Sequence, residues 1–388
     1  MPKTINLAAF KDFFNSTSSS GIVLFFCLFL SLVIANSPLG EGFNNFLQTQ
    51  VGFENDAVHL RYPIALWIND GLMAIFFLLV GLEIKREVVE GELSSPKKAI
   101  LPIICAIGGA IVPALIYVLF NKGTLTAAGW GIPMATDIAF ALAILALVSK
   151  KVPVSLKIFL AALAIVDDLL AILVIAVFYY SELHYINLVY AAAILVLLFL
   201  FNRFGVKNLA FYLIPGVFIW YFVHHSGIHA TIAGVLTALT LPTTADDVES
   251  PLEKLEHALT KPVSFLIIPV FALANTNIRF EDGMVDGLFT GLGLGIVLGL
   301  IIGKPIGILL ISWLSVKLKI SQLPDQARWI HILGVGLLAG IGFTMSIFIA
   351  LLAFDAPSFH AIAKMAILFT SFAAGIAGLL ILRTVKTE

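Results

Sequence analysis

The chain is a succession of long apolar runs separated by short polar breaks, and that pattern decides what it can fold into. A membrane-spanning helix needs about 20 mostly apolar residues, each rising about 1.5 Å. Twelve runs are candidates: residues 21–35, 63–82, 99–120, 125–148, 154–179, 188–201, 209–222, 228–241, 263–278, 288–314, 329–354 and 360–382. The shorter ones end at the interface or form partial spans. Hydrophobic residues make up 60% of the 388, against about 45–50% in soluble domains even with glycine counted. Charged residues are 12%, about half the usual 25%. A soluble globule of this size could not cover such a core. The expected class is therefore an all-α polytopic membrane protein with twelve transmembrane helices. With 23 basic and 24 acidic residues, no basic footprint for nucleic acid exists. Cys27 and Cys105 both lie inside apolar runs, which argues against a disulfide framework or a cysteine metal site. No cofactor is expected.

Orientation follows from the lysines and arginines. With a cytoplasmic N-terminus, eighteen of them fall in inside loops, and only Arg61, Lys122 and Arg279 fall outside. Lys304 and Lys364 lie within spans. That asymmetry is a positive-inside signal, and it places both termini in the cytoplasm. The first run also resembles a signal peptide, with Lys3 and Lys11 ahead of it and Val33-Ile34-Ala35 as a cleavage site. The charge distribution closes with that run retained, so it is read as the first helix. Residues 48–62 alternate weakly around Glu54-Asn55-Asp56, which suggests a short external hairpin.

Ionisable groups at mid-bilayer cost at least about 2.5–3.5 kcal/mol each, so each needs a reason. The fourth run carries Asp137 near its midpoint, the fifth carries Asp167-Asp168, and the tenth carries Lys304. Asp70 lies in the external third of the second run, and His229 near one end of the eighth. Such charges often pair merely to hold helices together, and Lys304 with one aspartate fits that description. Three acids and one base still do not neutralise. Adjacent helical residues point about 100° apart, so Asp167 and Asp168 cannot both face the same partner. One pairs with Lys304 while the other faces a water-filled path. Two coupled acids titrate together, and carboxylate, hydroxyl and carbonyl oxygens are also the ligands a small hard cation prefers. Competition between proton and cation for one site is all that exchange requires.

Two runs carry helix breakers at corresponding depths. The fourth contains GWGIPMATDIAFA, with Pro133 four residues before Asp137. Proline removes a helical hydrogen bond and displaces the residue before it from the α region. The eleventh contains AGIGFTMSIFIA, with Gly340 and Gly342 near its midpoint. An offset of 209 matches Gly131 with Gly340, Ile132 with Ile341 and Ile138 with Ile347. Paired interruptions in two halves mark transporter binding sites. In the tenth run Gly291, Gly295, Gly299, Gly303 and Gly307 recur every four residues. They form one glycine face for close packing, which sets Lys304 against a neighbouring helix.

At these residues the sequence resembles the NhaA family of sodium/proton antiporters. The motifs are LWINDGLMAIFFLLVGLEIKRE (66–87), GIPMATDIAFAL (131–142), KIFLAALAIVDDLLAI (157–172), SGIHATIAG (226–234), KLEHAL (254–259), IIGKPIGI (301–308) and GIGFTMSIFIA (340–350). They keep the family's order and cover nearly the whole chain. The resemblance implies twelve helices, inverted repeats of helices three to five and ten to twelve, and interrupted fourth and eleventh helices that cross near the midplane. It implies one integral membrane domain over residues 1–388, with core helices at about 99–179 and 288–382 and the remainder at about 21–82 and 188–278. It assigns cation and proton binding to Asp168 and Asp167, with Lys304 as the partner of Asp167. Asp137 and Thr136 fall at the crossing, where Asp137 offsets the positive ends of half-helices. A cytoplasmic pH-responsive cluster maps onto Glu83, Glu87, Glu256 and His257, with His229 as another pH-linked position. Where a family member has a histidine shortly after the Glu-His pair, this chain has Thr260. The hairpin region resembles the family's dimer contact, so a homodimer is expected.

The implied activity is electrogenic export of Na+, and of Li+, in exchange for more than one proton per cycle across a bacterial inner membrane. Asp168 is one titratable carrier; Asp167 and Lys304 both remain candidates for the second. A sodium-coupled symporter of an organic solute is the alternative, but the bulky apolar crossing offers it few polar contacts. An intramembrane aspartyl protease lacks its Gly-x-Gly-Asp sequence, and adjacent carboxylates would trap the ion of a passive channel. His225 and His229 have a zinc-compatible spacing, but no acidic ligand follows in a metalloprotease pattern.

Overall fold

The computed structural model describes residues 17–55, 59–148, 151–243, 249–281 and 283–385. Lys3, Lys11, Lys150 and Lys386, which entered the orientation reading, and Asp56 of the hairpin lie outside the described residues. The chain is a multi-pass helical membrane protein. Helix α1 (Thr17–Ala35) turns by 112° into the short α2 (Gly40–Leu47). The expected hairpin follows, with β1 (Gln50–Glu54) antiparallel to β2 (His59–Pro63) and Gln50 opposite Pro63.

The longer helices come next: α3 (Ile64–Val89), α4 (Pro96–Asn121), then a tight 3-10 segment Ala127–Met134 leading to α5 (Ile138–Leu147). After them come α6 (Val154–Phe178), α7 (Tyr185–Arg203), α8 (Ala210–His224), α9 (Ile232–Thr240) and α10 (Pro251–Asn275). The last are α11 (Gly291–Lys317), α12 (Trp329–Ala339), α13 (Phe343–Ala353) and α14 (Pro357–Thr384). Among the described residues, eight helices are long and apolar enough to cross a membrane, or ten if each of two bent pairs counts once. The twelve runs of the sequence also include α8 and α9, which at 15 and 9 residues are shorter than a full span.

Helix α1 is tied into the bundle rather than standing beside it. Ser31 donates to the Leu273 carbonyl at 2.7 Å, and the Asn36 amide to the Ile278 carbonyl at 2.9 Å. Both contacts satisfy polar groups that lipid could not. Three spans contain a wider π-type turn: Trp67–Leu72 in α3, Val263–Ile267 in α10 and Gly299–Gly303 in α11. Such turns shift the register of a helix and recur at functional sites. One contains Asp70, and another ends immediately before Lys304.

The glycine face of α11 does what its spacing implies. From Gly291 to Gly307 every member abuts α4, Pro133, or both. The closest approach is at Gly307, where a Cβ would lie 2.2 Å from the Gly108 carbonyl oxygen. That neighbour is backbone and cannot rotate away. Replacing Gly307 with alanine is therefore expected to destabilise by about 1–3 kcal/mol, the usual range for overpacking. Gly42→Ala, where the added Cβ meets nothing within 4 Å, is the matched control. Thermal unfolding in detergent checks the pair; equal midpoints for the two variants would overturn the close-approach argument.

Candidate functional site: the crossing of two interrupted helices

Pro133 is the penultimate residue of the 3-10 segment, and Ala135 just after it adopts an extended conformation (φ −79°, ψ 149°). Asp137 is still non-helical (φ −81°, ψ 97°), and α5 begins after it. On the other side, α12 stops at Ala339 and α13 starts at Phe343, with a 46° bend across Gly340–Gly342. These glycines have ordinary negative φ values (−68° and −86°), so their value lies in space. A Cβ on Gly340 would lie 2.5 Å from the Leu300 carbonyl oxygen.

The two breaks meet and satisfy each other. The Asp137 amide donates to the Ile341 carbonyl at 2.7 Å, and Ser346 donates to the Ile132 carbonyl at 2.8 Å. The Asp137 carboxylate caps both half-helices. Its Oδ1 accepts the Phe140 amide of α5 at 2.9 Å, while its Oδ2 accepts the Thr344 amide of α13 at 3.2 Å and the Thr344 hydroxyl. One negative charge thus sits at two helix N-termini, where helix dipoles favour it.

Thr136 has a different set of partners. Its hydroxyl lies 2.6 Å from Asp167 Oδ2 and 2.8 Å from the Ala339 carbonyl oxygen at the end of α12. Lys304 enters from α11, donating to Asp167 Oδ2 and to the Met134 carbonyl, one of the acceptors freed by the break. Thr136 and Lys304 are wholly buried, and Asp137, Asp167 and Asp168 are each 2% exposed. Oδ1 of Asp167 and Oδ1 of Asp168 have no hydrogen-bond partner among the described residues. One ammonium therefore pairs with one of two adjacent carboxylates, and each carboxylate keeps an oxygen without a partner among the described residues. An open cavity of about 700 Å³, lined by Lys97, Lys98, Lys319 and Asp325, reaches Ala162 of α6. Ala162 is five residues, or about 7.5 Å of helix rise, before Asp167.

The sequence-derived pH-responsive residues are only partly brought together. Arg86 joins Glu87 at 3.0 Å and both carboxylate oxygens of Glu256 at 2.9 and 3.0 Å, with Glu83 one turn back on α3. His257 points elsewhere: its side chain is 70% exposed and faces Glu249 at 3.1 Å. Thr260 donates to the backbone of Glu256 at 2.7 Å rather than to the cluster's carboxylates. His229 lies toward the other end of α3, beside Asp70. Arg86 and His224 are the residues that sequence reasoning missed. The arginine was visible in the LEIKRE motif only as a loop charge; His224, the last residue of α8, carried no local signal.

These features fit one class: a multi-pass membrane protein with a candidate ion site of buried carboxylates at broken helices, as in membrane transporters. The sequence profile of a family described as Na+/H+ antiporter 1 matches residues 11–382. A Flavobacterium johnsoniae protein named Na+/H+ antiporter NhaA 2 is 66% identical over 383 residues, covering 98% of this chain and 94% of that protein. Na+/H+ antiporter NhaA of Flavobacterium psychrophilum is 53% identical, covering 95% and 94% respectively. The one from Tolumonas auensis is 50% identical over 96% and 94%. The chain belongs to the Na+/H+ antiporter 1 family, as its motifs imply.

The Lys304–Asp167 pair sets a test of the geometry. Removing one partner of a buried pair typically costs about 3–5 kcal/mol, because the other charge is left uncompensated. Lys304→Ala should therefore melt well below the parent protein, and adding Asp167→Asn should recover part of the loss. A Lys304→Ala protein that melts with the parent would overturn the pairing.

Proposed function

We propose that the chain exchanges cytoplasmic Na+, and Li+, for external protons across a bacterial inner membrane, with more than one proton per cation. The observation that carries this reading is the pair of adjacent buried carboxylates beside a single ammonium. Three acids and one base close together in a low-dielectric setting cannot all remain charged without another positive charge. Protons or a small hard cation can supply it, and the two compete. Asp168, with an unpartnered oxygen, is the primary ligand. Asp167 joins it when released from Lys304, and either Asp167 or Lys304 carries the second proton. Asp137, already holding two helix ends, compensates the crossing, and Thr136 links Asp167 to α12.

A stoichiometry above one moves net charge inward with each cycle, and each such charge gains about 2.3 kcal/mol per 100 mV of membrane potential. Export against a sodium gradient then draws on the potential as well as on pH. A symporter of organic solutes would need room beside the cation, whereas here the side chains around Asp167 close on one another. The reading further includes twelve spans with inverted repeats, cytoplasmic termini, a homodimer, and pH control through Glu83, Glu87, Glu256, His257 and His229. The Arg86 bridge supports Glu87 and Glu256 as one unit, while the exposure of His257 gives that residue the weakest support.

Everted membrane vesicles containing a pH-sensitive dye provide the test. Na+ added to an imposed proton gradient should collapse it in the parent protein and leave it intact in Asp168→Asn. A normal response in that variant would refute the assignment.

A further inference from the structure

A second titratable cluster lies away from the crossing, on the side that the lysine and arginine count makes external. Asp70 sits in the π-turn of α3. Its Oδ2 faces Nδ1 of His224 at 3.1 Å, and its Oδ1 faces Nε2 of His229 at 3.4 Å. All three side chains are largely buried, at 11–16% exposure. One carboxylate thus ties together α3, the end of α8 and the 225–231 connection.

The chemistry of this arrangement is constrained. An ionised carboxylate only accepts, so His224 must turn its Nδ1–H toward it. The second nitrogen of His229 is occupied by the Thr231 hydroxyl at 2.8 Å. His224 stacks on Trp220 and meets Tyr62 edge-on, and the Trp220 indole N–H reaches the Asp70 carbonyl at 3.4 Å. Among the described residues, the other titratable groups around the cluster are Tyr62 from β2 and His225, which face each other at 3.3 Å, and Tyr221 of α8, whose ring packs on His225 at 4.3 Å. Glu54 and His59 pair farther out on the exposed hairpin. From α13 the cluster meets the apolar ring of Phe348, packed edge-on against His229 at 5.2 Å.

We propose that His224, Asp70 and His229 form an external acid latch, in which protonation of His224 clamps α8 and the 225–231 connection onto α3. The proposal rests on the transport reading above and adds to it the regulatory residue His224 and its carboxylate. Protonation turns a hydrogen bond between a neutral imidazole and a carboxylate into an ion pair, adding Coulomb attraction between the two side chains. The sign follows: acid outside tightens the clamp, and alkali loosens it. His229 carries the constraint to α13, one of the two half-helices that form the crossing, through Phe348.

The test measures Na+-driven proton movement in proteoliposomes as pH is varied on the external face. His224→Gln keeps an N–H for Asp70 but cannot acquire a charge. Its activity should persist to lower pH, with the acid limb displaced downward by about half a unit, a threefold change in proton occupancy. Its alkaline maximum should match the parent's. A superimposable limb, or one displaced upward, overturns the latch. If the parent protein itself moves no protons with Na+, the transport reading fails, and the latch is judged without transport. His224→Gln and Asp70→Asn, singly and together, are then melted in detergent at about pH 6 and pH 8.5, on either side of the usual imidazole range. Non-additivity greater at the lower pH supports the latch, and equal non-additivity at both overturns it.

Discussion

The structure depends on a charge imbalance that it cannot relieve on its own. Lys304 and Asp167 can neutralise each other, and Asp137 is held by two helix N-termini. Asp168 is left with a buried oxygen that has no protein partner among the described residues. A core of ordinary residues would remove such a group, because an unpaired buried charge costs several kcal/mol. Its retention at the meeting point of two broken helices places the imbalance where the backbone is also irregular. The two irregularities support each other: carbonyls released by the breaks become partners for the buried cationic and hydroxyl groups, as with Met134 for Lys304 and Ala339 for Thr136.

That exchange of partners explains why the packing around the site is so tight. Lys304 can reach Asp167 and Met134 only if α11 lies close to α4 and to the 3-10 segment. The glycines of α11 permit this: Gly299 meets Pro133, and Gly307 meets the backbone of Gly108. The π-turn at Gly299–Gly303 then sets the direction from which Lys304 enters. Small residues substitute for hydrophobic driving force inside a bilayer, where lipid is as apolar as leucine. Here they also fix the position of a charge.

Much of this was legible in the sequence wherever a single segment carried its own cause. Pro133 announces the first break, Gly340 and Gly342 the second, and the four-residue glycine period announces a close helix seam along α11, though not that α4 is its partner. The hairpin followed from its alternation. The unread parts are all pairings between distant segments. Nothing within residues 83–87 says that Arg86 reaches Glu256, 170 residues on, and nothing in the end of α8 says that His224 faces Asp70. His257 shows the converse. A motif position placed it with the acidic cluster, but its place on α10 turns it toward solvent and Glu249. The shortness of α8 and α9, at 15 and 9 residues, matches runs that the sequence already reads as partial spans, since crossing needs length as well as apolarity.

The three acids of the crossing carry the same functional group and are sorted by their partners in space. Asp137 accepts from two amides and a hydroxyl, so taking it as a cation ligand would uncap two helices at once. Asp167 shares Oδ2 between Lys304 and Thr136 and keeps Oδ1 bare. Asp168 has the least compensation of the three, which makes it the most responsive to whatever positive charge arrives. Thr136 adds a constraint between them: its hydroxyl has one hydrogen but lies within bonding distance of two acceptors, Asp167 Oδ2 and the Ala339 carbonyl. It can donate to one at a time. The hydrogen-bond pattern at the end of α12 is therefore tied to what Asp167 holds, and a local change of charge at α6 has a direct mechanical partner in the broken helix.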